Sequence, residues 1–103
     1  MREPHHPARE ELELSAVLHA LSDPARLEIV RRLADGDAPS CGIFELGLSK
    51  ATLSHHFKVL REAGLIRQYY VGTSRMNALR RAEMDEAFPG LLDALTARQD
   101  KRR

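Results

Sequence analysis

The 103-residue sequence predicts a domain that is mostly α with a small β-hairpin. Three observations predict it. Apolar residues recur at helical spacing through most of the chain. The pattern turns β-rich just after Gly64. Helical spacing then returns from Ala82 onward.

Residues 1–7 contain prolines and histidines, have no apolar core and are expected to form a flexible N-terminus. His5 and His6 fall in this segment. Ala8–Ala20 is predicted to be a helix, with Leu14, Val17, Leu18 and Leu21 inward and the acids Glu10, Glu11 and Glu13 in its early turns, where the helix dipole favours them. Ser22-Asp23-Pro24 is a break and restart: Ser22 or Asp23 caps, and Pro24 suits the first turn. The next helix runs to about Ala34, with Leu27, Val30, Leu33 and Ala34 inward and Arg26, Glu28, Arg31 and Arg32 outward. Asp35–Pro39 ends it with turn chemistry. Ser40–Leu46 is a short helix at best, and Gly47-Leu48-Ser49 turns the chain into the next segment.

Ser49–Gly64 carries the clearest pattern. Leu53, Phe57, Leu60 and Ala63 form one apolar stripe, Ser49 is placed to cap, and Gly64 is placed to end the helix in a left-handed conformation. The other face holds Lys50, Thr52, Ser54, His55, Lys58 and Arg61, with Glu62 its single acid. A helix that only covers a core usually mixes acids and bases on its wet face. This one has slim, hydroxyl-bearing first turns and cations further along, which suits a DNA major groove. Leu65–Val71 reads as a strand, Gly72-Thr73-Ser74 as a turn and Arg75–Arg80 as the return strand. Arg67, Tyr69, Thr73, Ser74 and Arg75 would place cations and hydroxyls toward the hairpin tip, for phosphate or minor-groove contact. Ala82–Ala87 is expected to be a short turn, followed by a helix starting near Phe88 or Pro89, because Pro89 does not fit a helix interior. Leu91, Leu92 and Leu95, with Leu14 and Val17 of the first helix, are expected to form a dimer surface. Gln99–Arg103 is expected to be a basic, disordered tail, leaving residues 8–98 as one domain.

Composition narrows the function. Hydrophobic residues make up 43% and charged residues 30%, as in a globular chain. No apolar run approaches the length of a membrane span, so a cytoplasmic protein without membrane contact is expected. The net charge of +1 hides an asymmetry. Ser49–Arg81 holds seven Lys/Arg and one acid, whereas the remainder holds nine and fourteen. A localised basic segment points to a polyanion partner. Nothing assembles into a catalytic triad, a phosphate loop or a paired-acid cleft, so an enzyme is not expected. His55 and His56 are adjacent, and on a helix they point about 100° apart, too far to chelate together.

The element order α-α-α-α-β-β-α is that of a winged helix-turn-helix with an added helix at each end. The segment Leu21–Val30 (LSDPARLEIV), then Ser49–Ile66 (SKATLSHHFKVLREAGLI), then the hairpin to Leu79 resemble the ArsR/SmtB-type family of bacterial transcriptional repressors, over about residues 12–97. The resemblance implies a homodimer that binds double-stranded operator DNA and represses until an inducer releases it. The apolar terminal helices are read as its interface, and modification of the Cys41 thiol as another means of release. The resemblance implies DNA contacts from Ser49, Lys50, Thr52, Ser54, His55 and Lys58, with Arg75 in the wing. Lys50, Lys58, Arg61 and Arg75 are expected to anchor phosphates. His56 matches a histidine common in this family and lies beside the apolar stripe, where a structural role is expected over base reading. Metal-sensing relatives often carry a Cys-x-Cys pair before the turn, or His and acid ligands on the last helix. Here Cys41 is the only cysteine, and no histidine lies between Glu83 and Gln99. No cofactor and no complete metal site are therefore expected. Cys41 is left as a buried core residue, a thiol sensor, or a ligand completed by His5, His6 or the other subunit. The competing function is a winged-helix protein-interaction module without DNA binding, which would have no need of the basic segment.

Overall fold

A computed structural model describes residues 4–36 and 46–96. Cys41 and the short helix expected over 40–46 lie outside the described residues, as does the tail from 97. Five α-helices and one two-stranded antiparallel sheet are present among the described residues. The helices are α1 (Leu14–Leu21), α2 (Pro24–Ala34), α3 (Lys50–Ala63), α4 (Arg81–Ala87) and α5 (Leu91–Thr96). The strands are β1 (Ile66–Val71) and β2 (Ser74–Leu79). No helix among the described residues is long and apolar enough to cross a membrane.

The first helix is shorter than its apolar pattern suggests. Arg9–Glu11 forms a 3-10 turn, Leu12 and Glu13 are extended, and α1 begins only at Leu14. His6 and Pro7, placed by the sequence in the flexible N-terminus, make contacts with the hairpin and the residue after it. The main-chain N–H of Gln68 donates to His6 Nε2 at 2.9 Å, and Arg80 Nη1 donates to the Pro7 carbonyl at 2.8 Å. The N-terminal strap therefore lies along the open edge of β1.

At α2 the restart is built as expected. Asp23 Oδ1 accepts from the N–H groups of Ala25 and Arg26, and Pro24 fills the first turn, where its missing N–H is not needed. The buried face of α2 is Arg26, Ile29, Val30 and Leu33. Arg26, expected outward, is thus inside, and Ile29 replaces Ala34 on the inner stripe. On α1, Val17, Ala20 and Leu21 are buried, whereas Leu14 and Leu18 are 46% and 49% exposed.

The stripe of α3 is confirmed. Leu53, Phe57, Leu60 and Ala63 are all buried, and His56 joins them. Ser49 caps by accepting the Thr52 N–H at 3.1 Å. At the other end the Gly64 N–H donates to the Arg61 carbonyl and the Leu65 N–H to the Leu60 carbonyl, both at 3.0 Å, which is the Schellman closure. Gly64 has φ +90°. A side-chain carbon there would also run into Leu12 Cδ2 of the strap.

The hairpin turn is two residues, Gly72-Thr73, rather than three, so Ser74 opens β2. Gly72 has φ +61° and no described non-glycine residue has positive φ, so glycine holds the first central position, as type II′ turns require. After β2, α4 forms over the segment expected to be a turn. Pro89 breaks the chain as expected, but α5 starts two residues after it. α5 folds back on α2, where Arg31 Nε donates to the Leu95 carbonyl at 2.9 Å. Leu92 of α5, and Val17 of α1 where that helix packs on α2 and α3, are fully buried within the chain's own core. They cannot supply the dimer surface expected of them, because no part of either side chain reaches solvent.

Replacing Gly64 with Ala combines left-handed strain with the collision against Leu12. We expect a loss of about 1–3 kcal/mol, read as a lowered urea midpoint, with Leu12→Ala in the same chain recovering part of it.

Candidate nucleic-acid interface

On α3 the side chains that would meet DNA sort by position. Lys50, Ala51, Ser54, His55 and Lys58 are all exposed, at i, i+1, i+4, i+5 and i+8 of one helix face. Ser49 and Thr52 are exposed at its start, where Ser49 Oγ also donates to Thr52 Oγ1 at 2.9 Å. This face has small side chains first and cations at both ends. Leu53, Phe57 and Leu60 hold it from behind.

Its aim is set by buried polar contacts. Arg26 is 8% exposed, its Nε donates to the Ala20 carbonyl at 2.6 Å, and its Nη1 lies 3.2 Å from His56 Nδ1. A guanidinium can only donate, so Nδ1 accepts and the ring carries its proton on Nε2. One side chain thus joins the end of α1, the start of α2 and the middle of α3. The structural role expected for His56 is this contact. Asp23 completes the cluster. Partial burial works against its ionisation, but the N–H groups of Ala25 and Arg26 and the positive charge of Arg26 outweigh it, holding the carboxyl below the usual range.

Not every cation of the basic segment is turned outward. Arg61, expected to contact phosphate, is tucked against the hairpin, where its Nη1 donates to Gln68 Oε1 at 2.9 Å. Its Nε is buried without a hydrogen-bond partner, so the side chain is committed inward. Arg80 pairs with Glu83 and bonds Pro7, and Arg81 pairs with Asp85 and Asp93. Lys50 and Lys58 are exposed on α3, and Arg67 and Arg75 stand on the wing. The wing pairs two of these with aromatic rings. Arg67 lies 4.8 Å over Tyr69, and Arg75 lies 5.3 Å over Tyr70 while its Nη2 donates to the Tyr70 hydroxyl at 2.8 Å. Thr73 and Ser74 are exposed at the tip, as is Val71.

The sequence reading missed Arg26, Gln68, Asn77 and His6 as organising residues. Arg26 had a signal: it stands three, four and seven residues before Ile29, Val30 and Leu33, on one helix face. Gln68 had one too, since strand alternation puts it inward between Ile66 and Tyr70.

A basic helix held by a helical core, with a two-stranded wing beside it, is the winged helix-turn-helix of DNA-binding regulators. The chain belongs to the arsR family of bacterial regulatory proteins, whose model matches residues 23–68. It is a transcriptional regulator. The chain is 39% identical over 84 residues to the uncharacterized HTH-type transcriptional regulator YceK of Bacillus subtilis, covering 77% of this chain and 82% of that one. Identity to the arsenical resistance operon repressor of Staphylococcus xylosus is also 39%, over 71% of each chain. Among solved structures, an ArsR-like transcriptional regulator from Rhodococcus sp. RHA1 superposes with a TM-score of 0.65 at 27% identity, covering 86% of this chain and 84% of that one.

The lowered pKa of Asp23 has a signed consequence. A carboxyl depressed in the folded state stabilises above its unfolded value, near 3.9, and that stability is lost as pH falls through the folded value. Asp23→Asn should cost about 0.5–1 kcal/mol at pH 7. The gap between the two urea midpoints should close as the pH is lowered below about 4. A gap that persists at pH 2 would remove the Asp23 charge from the cap.

Proposed function

We propose that the chain is a dimeric repressor that seats α3 in the major groove of operator DNA and is released by an inducer. The observation that carries this reading is the single exposed, acid-poor face of Lys50, Ala51, Ser54, His55 and Lys58. Lys50 and Lys58 take phosphates, and Ser49, Thr52, Ser54 and His55 reach base edges or the sugar–phosphate chain between them. Arg67, Tyr69, Thr73, Ser74 and Arg75 of the wing follow the backbone beside the groove. Arg61 is left out of this set, because its guanidinium is engaged by Gln68. Such a protein works in the cytoplasm, where the DNA is.

For the dimer, the exposed Leu14 and Leu18 of α1 and the half-buried Leu91 and Leu95 of α5 support a surface along the terminal helices. Two-fold symmetry would then present two copies of α3 to half-sites about one helical turn apart. An interaction module of the same fold would leave the cations of α3 and the wing without a task.

Selection from a random duplex library by the purified protein tests the function directly. A two-fold symmetric site should emerge, and recovery of no sequence would sink the reading. On the selected duplex, Lys58→Ala should weaken binding several-fold and reduce the slope of log K against log salt by about 1. An unchanged slope takes Lys58 off the phosphates.

Leu18→Glu should convert the dimer to monomer in sedimentation while leaving the helical circular dichroism intact, because Leu18 is half-exposed in the folded chain. A dimer that survives this change places the interface elsewhere.

A further inference from the structure

At the base of the wing a buried amide has a partner on each of three other elements. Gln68 is 1% exposed. Its Oε1 accepts from Arg61 Nη1 of α3 at 2.9 Å, and its Nε2 donates to Asn77 Oδ1 of β2 at 3.0 Å. Its main-chain N–H donates to His6 of the strap at 2.9 Å. Asn77 is fully buried and stands opposite Gln68 in the register. The next pair up the same face of the hairpin is Tyr70 and Arg75. Polar contacts therefore run from the C-terminal turn of α3 to Gln68 and Asn77, and the next step on the same face of the hairpin is the one on which Arg75 is stacked on Tyr70.

An apolar pair at these positions would serve stability at least as well, since buried polar groups gain little net energy even when satisfied. A satisfied polar network has a different property. It allows few arrangements, because each alternative strands a buried donor or acceptor. Here Arg61 Nη1, Gln68 Oε1, Gln68 Nε2 and Asn77 Oδ1 are all paired, while Arg61 Nε is buried without a hydrogen-bond partner.

We propose that Arg61, Gln68 and Asn77 are positioning residues for DNA binding, which fix the wing against the recognition helix so that Arg75 meets the backbone while α3 occupies the groove. His6 secures the same arrangement from the outer edge of β1. The inference rests on the proposed DNA contact of Arg75 and goes beyond it by naming what sets that contact.

A double-mutant cycle on the selected duplex tests it. In the wild-type background Arg75→Ala is expected to cost about tenfold in affinity, the size of one charge-assisted contact. In an Arg61→Met background the same change should cost less than about twofold, because the wing no longer presents Arg75. The cost of Lys58→Ala, on α3 itself, should be the same in both backgrounds. Arg61→Lys, which keeps a donor for Gln68, should restore most of the Arg75 cost. An equal Arg75 cost in the wild type and Arg61→Met overturns the proposal, and so does a fall in the Lys58 and Arg75 costs together, which would mean general loosening. Should thermal melts show that Arg61→Met does not fold, the cycle runs on His6→Ala, which removes the acceptor at the strand edge. The Arg75 cost is then expected to fall about twofold, and no fall overturns the proposal. If the wild type selects no duplex, the DNA-binding function fails and this inference fails with it. If it binds but shows no coupling, the inference alone fails.

Discussion

Arg26 sets the geometry on which the rest of the domain depends. Its guanidinium sits in the interior, bonded to the last turn of α1 and to His56 in the middle of α3, while Asp23 caps the helix that carries it. Taking a guanidinium out of water is costly unless its donors are used. Three helices must therefore meet in one arrangement for the cost to be met. Apolar packing of Val17, Ile29, Leu53 and Phe57 alone would hold the helices together but would tolerate sliding. The Arg26 contacts select one angle of α3, and with it one direction for the face that carries Lys50 and Lys58.

The same logic divides the cations. Seven Lys/Arg lie between Ser49 and Arg81, but Arg61, Arg80 and Arg81 are spent on Gln68, on Pro7 and Glu83, and on two aspartates. A count of charge along the chain therefore overstates the field that the proposed interface would offer to DNA. The other four are on the exposed face of α3 and on the wing, where Arg67 and Arg75 are stacked on tyrosines. Stacking narrows where each guanidinium can be before any ligand arrives, so less order has to be imposed on binding.

Local pattern made most of the fold legible. The stripe of α3, its serine cap and glycine stop, the Asp23-Pro24 restart and the hairpin are all short-range signals, and each stands where its residues placed it. The misreadings share one cause: charged or polar residues were assigned outward by type. Arg26 is inside because it has a partner thirty residues on, His56, and Arg61 because it reaches across the turn after α3 to Gln68 on β1. Residue type hid both, although the helical spacing of Arg26 with Ile29, Val30 and Leu33 was readable. His6 reads as loose because its partner is 62 residues away. Val17 and Leu92 were given to a second subunit because the apolar residues exceeded what three helices need. The strap and the fold-back of α5 on α2 account for that excess.

The hairpin turn limits how this architecture can vary. A two-residue turn closes only on a hydrogen-bonded strand pair, and such pairs alternate along the ladder. Gln68 turns its N–H outward to His6, so hydrogen-bonded pairing falls at Tyr69–Met76 and again at Val71–Ser74, where the turn sits. The wing can therefore lengthen or shorten without remodelling its tip only in steps of two residues per strand. Each step is roughly 7 Å, slightly more than the width of the minor groove, near 6 Å. Reach in this wing is quantised, and relatives that keep the tight turn are confined to a small set of discrete wing lengths.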